Sequence, residues 1–253
     1  MDQIYIPKKR SELEVGSYVL VKNLENIEAV KRESFKANFY NSDSIEKIKL
    51  YIIEKIFSII NNSAEIENII ITGSFLNKGF SFEDLDILIV SNRKVDSGHL
   101  SKKINSKLGI NAHILLIDNR SLIKGLETDP LYQLMLSKCV SQKRLIYKVK
   151  NKPNYKILDL HLLKSKLLID NFKILSGNEK YALTRNLIAI KLFLENEKLI
   201  NQKIEKDIEN SLRISVKDLK DNIINEKSFI RLYENIYDKI SQKILEGIKD
   251  GSK

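Results

Sequence analysis

Residues 67–90 constrain the fold more than any other stretch of the chain, because they hold two apolar segments separated by a short turn. The first segment, residues 69–72, is rich in β-branched side chains and ends at a Gly73-Ser74 pair, which is typical of a turn. The second segment spans residues 84–90 and is apolar after its first few positions. We therefore predict two strands that are joined through a turn at the glycine.

Asp84 and Asp86 lie two positions apart in the second of these strands. Because strand side chains alternate between faces, both carboxylates should project to the same side. Two carboxylates form part of a ligand set for Mg²⁺, which phosphate oxygens can complete. A Gly-Ser turn just upstream lets backbone N–H groups approach a phosphate. The stretch predicts phosphoryl transfer, although these residues also fit a βαβ unit whose aspartates cap a solvated strand start.

The order of these features resembles the signature of the DNA polymerase β-like nucleotidyltransferase superfamily. That signature is a strand, a Gly-Ser or Gly-Gly pair, a short helix, and a second strand that carries Asp-apolar-Asp. The residues of this chain that match it are Gly73, Ser74, Asp84 and Asp86.

The resemblance extends beyond the two strands. Lys78, which a glycine follows, resembles the basic residue and glycine that many small members carry between the two halves of the signature. Residues 117–134 are similar to the stretch that follows the third strand in small prokaryotic members. The resemblance therefore covers about residues 65–148.

The resemblance implies a metal-dependent nucleotidyltransferase, which moves a nucleotidyl group from an NTP to an acceptor hydroxyl and releases pyrophosphate. It implies that Asp84 and Asp86 hold Mg²⁺ or Mn²⁺ and that Gly73 and Ser74 bind phosphates. Lys78 would neutralise phosphate charge. It also implies a helical partner domain that closes over nucleotide and acceptor.

A third carboxylate, which active members usually carry on a neighbouring strand, is not evident. The third predicted strand, residues 111–117, places His113 where that carboxylate would be expected. Histidine ligates metals and serves as a general base near neutral pH, although it prefers softer ions than Mg²⁺. A purely structural histidine is the alternative, and Glu195 or Asp170 from the C-terminal region could instead supply a carboxylate.

His113 also supports a second hypothesis, a catalytically impaired protein that binds a nucleotide or RNA and acts as a regulator. A third hypothesis is a toxin–antitoxin component that modifies RNA or protein, since small prokaryotic members with helical partners often have that role.

The formal net charge of +10 is compatible with a nucleic-acid partner, although lysine is abundant along the whole chain. Lys148, Lys150 and Lys152 form a local cluster where the two predicted domains meet. The cluster predicts an RNA-binding groove, with a solvated linker as the alternative. RNA, especially tRNA, is thus a candidate acceptor beside a protein side chain or a small hydroxylated molecule.

Cys139 is the single cysteine, which rules out an internal disulfide and favours a reducing cytoplasm. No apolar run approaches about 20 residues, so we expect no transmembrane helix. The first ten residues lack the apolar segment of a signal peptide. We expect a cytoplasmic protein without membrane association, and the sequence does not indicate its oligomeric state.

We expect an α/β (α+β) fold with three parts. Residues 1–42 form a β-rich extension with short strands at residues 4–6 and 18–22. Residues 43–150 form a nucleotidyltransferase domain with a mixed sheet, and residues 151–253 form an α-helical bundle domain. Within the middle part we also expect a helix that is capped at residues 42–44 and a closing strand at residues 144–148.

Residues 155–250 carry apolar side chains at helical spacing and few turn signals, which predicts four helices with buried stripes. The stripes are Leu158, Leu162, Leu163, Leu167 and Leu168; Tyr181, Leu183, Leu187, Ile190 and Phe193; Ile204, Ile208 and Leu212; and Phe229, Leu232, Ile236, Ile240 and Ile244.

Overall fold

The computed structural model describes residues 36–42, 45–62, 66–80, 82–147 and 149–250. These residues belong to one compact unit that begins at Lys36. The strands predicted at residues 4–6 and 18–22 lie outside the described residues. The predicted domain boundary near residue 150 stays a prediction.

One mixed sheet lies at the centre of the α/β architecture. Its strands are β1 (Asn38–Tyr40), β2 (Asn68–Thr72), β3 (Leu85–Val90), β4 (Ala112–Ile117) and β5 (Cys139–Ser141). Their order is β1-β5-β2-β3-β4, in which β3 and β4 are parallel and the other neighbouring pairs are antiparallel. The strands predicted at residues 69–72, 84–90 and 111–117 are confirmed, except that Asp84 lies just before β3.

The central strands are apolar on both faces. All five residues of β2 are buried, and in β3 every residue except Asp86 is buried. Continuous burial of this kind is typical of strands that are covered on both sides. One face carries a hydrophobic cluster formed by Ile70, Leu88, Val90, Leu122, Leu126 and Cys139.

The strand predicted at residues 144–148 is wrong in its described part. Residues 144–147 have no regular structure, and the closing strand is β5. The Asn68 side chain explains the difference, since it accepts a hydrogen bond from the Lys143 N–H at 2.8 Å and donates one to the Lys143 carbonyl at 3.1 Å. These bonds satisfy the backbone of Lys143 in place of a neighbouring strand, and the chain leaves the sheet there.

The helices of the described residues are α1 (Lys47–Asn61), α2 (Ser97–Leu108), α3 (Asn119–Thr128), α4 (Pro130–Ser137), α5 (Tyr155–Asp170), α6 (Gly177–Leu194), α7 (Asn201–Leu212), α8 (Val216–Lys220) and α9 (Glu226–Asp250). Side-chain caps explain several of their starts, such as the capping box of Ser176 and Glu179 before α6. The cap predicted at residues 42–44 is wrong: Glu46 is the N-cap of α1, and its carboxylate instead accepts a hydrogen bond from the Gly79 N–H.

The C-terminal helices share a second hydrophobic cluster, to which each predicted stripe contributes buried residues. Leu163 and Leu167 are exceptions, with 54% and 49% of their surface exposed. They lie on the side of α5 opposite Leu158 and Leu162, because a helix turns by about 100° per residue. The buried members of the stripes are Leu158, Leu162, Leu168, Leu187, Ile190, Phe193, Ile204, Ile208, Leu212, Phe229, Ile240 and Ile244.

The longest helix, α9, has 25 residues and alternates between buried apolar and exposed charged positions.

Throughout the described ranges, no helix combines the length and apolar character that crossing a lipid bilayer would require.

Gly177, the first residue of α6, lies against the end of α8. A Cβ at this position would stand 2.1 Å from the backbone oxygen of Lys220. Because that oxygen belongs to the backbone, it cannot rotate away as a side chain would. We expect Gly177→Ala to lower the free energy of unfolding by about 1–3 kcal/mol, as overpacking usually does. Urea denaturation followed by circular dichroism measures the change.

Gly98, the second residue of α2, offers a matched control, since the nearest atom to a Cβ there is Asp96 Oδ1 at 3.4 Å. Gly98→Ala should leave the stability unchanged or raise it by up to about 1 kcal/mol, because alanine favours a helix. Equal losses in both variants would contradict crowding as the cause.

Candidate functional site

The turn after β2 brings a carboxylate against a glycine. The antiparallel register pairs Thr72 with Asp86, so Gly73 comes beside Asp86 as it leaves the strand. Gly73 has a φ of 84°, and a Cβ there would lie 2.2 Å from Asp86 Oδ2. Both the backbone conformation and the available space therefore require glycine. The chain then makes a short 3-10 turn, Ser74–Leu76, between β2 and β3.

Two negative charges meet at the start of β3. Asp84 is exposed, and 40% of the Asp86 side chain is exposed. Burial and then the charge of Asp84 raise the pKa of Asp86, and a hydrogen bond from His113 partly offsets them. Because Asp84 lies just before β3, the prediction that both carboxylates point to the same side stays a prediction. Such a pair attracts a cation.

His113 lies directly beside Asp86. The parallel register of β3 and β4 pairs the two residues, and His113 Nδ1 is 3.4 Å from Asp86 Oδ1. The predicted placement of His113 next to the aspartates is therefore confirmed, whereas its role stays a prediction. Its side chain is 72% exposed, which leaves the ring accessible to a ligand.

Gly73, Asp86 and His113 line a cleft of about 460 Å³ between the sheet and the helices, whereas Asp84 lies outside this lining. Apolar side chains of α4, Leu131, Leu134 and Met135, form part of its lining. The polar residues of the lining are Thr72, Ser74, Asn77, Asp86 and His113 from the sheet side, and Lys138, Arg185, Asn186 and Asn201 from the helical side, and Gly73 also lines the cleft.

The two alternative carboxylates do not line this cleft. Glu195 follows α6, pairs with Lys243 at 3.6 Å, and lines a separate groove of about 560 Å³ between α6, α7 and α9. Asp170 is the last residue of α5. Among the predicted candidates for the third position, only His113 therefore lies beside Asp86.

Of the predicted lysines, the three that the structure describes do not line the cleft. Lys78 is exposed and does not contribute to its lining, which instead includes Lys138. Lys150 and Lys152 are exposed outside the lining, and Lys152 Nζ lies 3.3 Å from Glu127 Oε2. Lys148 lies outside the described residues, so the structure adds no support to an RNA-binding groove at this cluster.

A fully buried lysine, Lys49 of α1, holds the loop that follows the 3-10 turn. Its Nζ donates hydrogen bonds to the carbonyls of Asn77 and Gly79, both at 2.5 Å, and lies 3.0 Å from Glu46 Oε2. The Glu46 carboxylate also accepts from the Gly79 N–H at 2.6 Å. We call these four residues the loop latch. Because Asn77 lines the cleft, the latch fixes one of its edges.

Aromatic rings complete the surroundings of the buried ammonium. Lys49 Nζ lies 5.7, 5.3 and 5.9 Å from the ring centroids of Phe75, Phe80 and Phe82. At these distances each ring attracts the cation and replaces part of its lost hydration.

Sequence reasoning missed both Lys49 and Arg185, although each leaves a signal. Lys49 falls on the apolar face of α1, in line with Ile53 and Ile56. Arg185 lies two positions before a run of four buried residues of α6, 187–190. A lone cation at the edge of an apolar helix face indicates an internal partner or a ligand.

Comparison with protein-family models, with curated proteins and with solved structures gave no significant match.

The loop latch predicts acid sensitivity. The Gly79 N–H and the Lys49 ammonium lower the pKa of Glu46 from 4.5 to about 2. The ionised carboxylate therefore stabilises the fold above pH 4.5, and this contribution is lost as the pH falls towards 2. We expect Glu46→Gln to be less stable than the wild type near neutral pH, with a difference that shrinks through this window. Thermal unfolding at a series of pH values measures it.

Glu54→Gln removes the same charge from an exposed position of α1, away from the latch, and serves as the control. A stability difference for Glu46→Gln that stays constant across the acid range would contradict the latch as its origin.

Proposed function

We propose that this protein is a metal-dependent nucleotidyltransferase, which moves a nucleotidyl group from an NTP to an acceptor hydroxyl and releases pyrophosphate. The supporting observation is the close approach of Asp86 to Gly73, where a Cβ would lie 2.2 Å from Oδ2. This approach brings the carboxylate of Asp86 to the start of a helical turn in the cleft, and the charge of Asp84 acts on Asp86 from outside the cleft lining. The resemblance of the same residues to the superfamily signature supports the reaction class.

The donor set fits Mg²⁺ or Mn²⁺. Asp84 and Asp86 offer hard carboxylate oxygens, and the accumulated negative charge favours a divalent cation. In the described part of the chain, no three His, Cys, Asp or Glu side chains are grouped so that they could hold a metal ion together. Water and phosphate oxygens would therefore supply the remaining ligands. A bound cation would neutralise charge on the transferring phosphoryl group.

The turn at Gly73 and Ser74 would supply hydrogen-bond donors for the triphosphate. Gly73 lacks a side chain, so a phosphate can approach the backbone N–H groups at the start of the 3-10 turn. Ser74 is exposed in the cleft, and its hydroxyl would donate a further hydrogen bond. Lys78 would neutralise phosphate charge, a role that rests on the resemblance alone.

His113 would accept the proton of the attacking hydroxyl or orient Asp86 for metal binding. The alternative function, a catalytically impaired nucleotide-binding regulator, is favoured by the same residue. A histidine replaces the third carboxylate of active members, and imidazole is a weaker ligand than carboxylate for Mg²⁺.

RNA remains a proposed acceptor, supported by the net charge of +10. Incubation with each radiolabelled NTP, Mg²⁺ or Mn²⁺, and either total RNA or cell lysate identifies the acceptor. Label in RNA would support the proposal, whereas label in protein or in a small molecule would replace RNA with that acceptor.

The metal site predicts that Asp84→Ala/Asp86→Ala weakens Mg²⁺-dependent NTP binding by at least about 100-fold, because the cation loses both carboxylates. The fold should survive, since neither side chain belongs to the buried core. Calorimetric titration of an NTP with and without Mg²⁺ measures the change.

Asp221→Ala/Asp238→Ala makes the same charge change at exposed positions outside the cleft and should bind like the wild type. An unchanged NTP affinity in the Asp84→Ala/Asp86→Ala variant would refute the proposed site.

A second prediction concerns His113. His113→Asp should retain or raise Mg²⁺-dependent transfer, because it restores a hard ligand beside Asp86, whereas His113→Ala should lower transfer by at least about tenfold. Transfer of label from the accepted NTP, measured at equal protein concentration, compares the variants. Equal rates for His113→Ala and the wild type would leave the residue without a catalytic role.

A further inference from the structure

The helical side of the cleft presents an arginine that no proposed role has used. Arg185 and Asn186 of α6 line the same cleft as Asp86 and Ser74. The residues that follow them in α6 turn into the hydrophobic cluster, so Arg185 stands where a buried helix face meets the cleft.

The guanidinium of Arg185 is poorly satisfied within the protein. Among the described residues, its buried Nε has no hydrogen-bond partner, and its Nη2 donates only to the neighbouring Asn186 Oδ1, at 3.5 Å. Across the described residues, no carboxylate forms an ion pair with it. Buried donors nearly always have an acceptor, so an orphaned one at a cleft indicates that a ligand supplies it.

The other cations of α6 show the contrast. Lys180 is buried but donates to Asn222 Oδ1 at 2.7 Å and lies 3.8 Å from the Phe172 ring centroid. Lys191 pairs with Asp207 at 2.9 Å. Of the three basic side chains on this helix, the one that faces the cleft is the one without an anionic or strong polar partner.

The chemistry of the group identifies the class of ligand. A guanidinium offers a planar set of N–H donors that matches the oxygens of a phosphate, and it stays charged at any physiological pH. Lys138 brings a second positive charge, an ammonium group, to the lining. A volume of about 460 Å³ suits a small molecule such as a nucleotide.

We propose that Arg185 binds the triphosphate of the nucleotide from the helical side of the cleft. The positive charge of Arg185 is opposite in sign to that of the Asp84–Asp86 pair. The assignment rests on the proposed function for the identity of the nucleotide, but the anion site itself requires no metal. The triphosphate would supply acceptors to the guanidinium of Arg185 and would connect α6 to the turn at Gly73 and Ser74.

Inorganic tripolyphosphate in metal-free buffer with a chelator tests the anion site separately from the metal site. We expect Arg185→Gln to weaken its binding by at least about tenfold and Arg185→Lys to weaken it less, because lysine keeps the charge but loses the planar set of donors. Arg231→Gln, at an exposed position of α9 outside the cleft, should bind like the wild type. Circular dichroism verifies the fold of each variant.

A measurement on the wild type covers the case in which the variants do not fold. Phenylglyoxal modifies accessible arginines, and peptide mass spectrometry locates them. Tripolyphosphate should protect Arg185 and not Arg231.

Three results would overturn the inference: wild-type affinity in Arg185→Gln, absence of protection at Arg185, or stronger protection by an RNA oligonucleotide than by tripolyphosphate. Failure of the proposed function would look different. In that case Asp84→Ala/Asp86→Ala would leave Mg²⁺-dependent NTP binding unchanged, whereas Arg185→Gln would still weaken the binding of tripolyphosphate in metal-free buffer.

Discussion

The pairing of β2 with β3 is the constraint on which the candidate site depends. A shift of one residue in this register would turn the Asp86 side chain to the other face of the sheet, because strand side chains alternate. The observed register is held by apolar residues that are buried along both strands. The burial of these apolar residues therefore fixes the position of the Asp86 carboxylate at the edge of the core. The missing side chain of Gly73 then allows the carboxylate to approach the backbone.

The loop latch holds the irregular loop of residues 77–80 in place beside the candidate site. Residues 77–80 lie outside any strand or helix, and the preceding 3-10 turn satisfies the backbone N–H of Asn77. The buried ammonium of Lys49 satisfies the carbonyls of Asn77 and Gly79, and the carboxylate of Glu46 balances its charge. Burying an ion is costly unless it is paired and hydrogen-bonded, so such an arrangement serves geometry more than net stability.

Much of the fold and part of the site could be predicted from local sequence patterns. The strands around the Gly-Ser pair, the third strand and the helical stripes follow from apolar periodicity, which reports burial directly. The position of His113 beside Asp86 was expected from the resemblance of its strand to the third strand of the superfamily. The strand and helix predictions were correct because most apolar residues of these local patterns are the ones that the folded protein buries.

The failures arose where distant residues decide the structure. The closing strand was misplaced because the side chain of Asn68, far away in the sequence, replaces the ladder at Lys143. Leu163 and Leu167 carry a helical pattern but face outward, since α5 is covered on one side only. Arg185 could not be assigned to the site from the sequence, because Arg185 and Asp86 are far apart along the chain and no local pattern shows that they line the same cleft. Pairings of this kind depend on packing between elements.

The location of Cys139 has a practical consequence. The thiol lies in β5 between two other strands, is fully buried, and has a pKa that burial raises to about 12. An alkylating reagent needs both access and a thiolate, so it reacts with this residue only when the sheet opens. As the only cysteine of the chain, it is a natural reporter of local opening, and its alkylation kinetics would measure how often the central sheet exposes its interior without any introduced label.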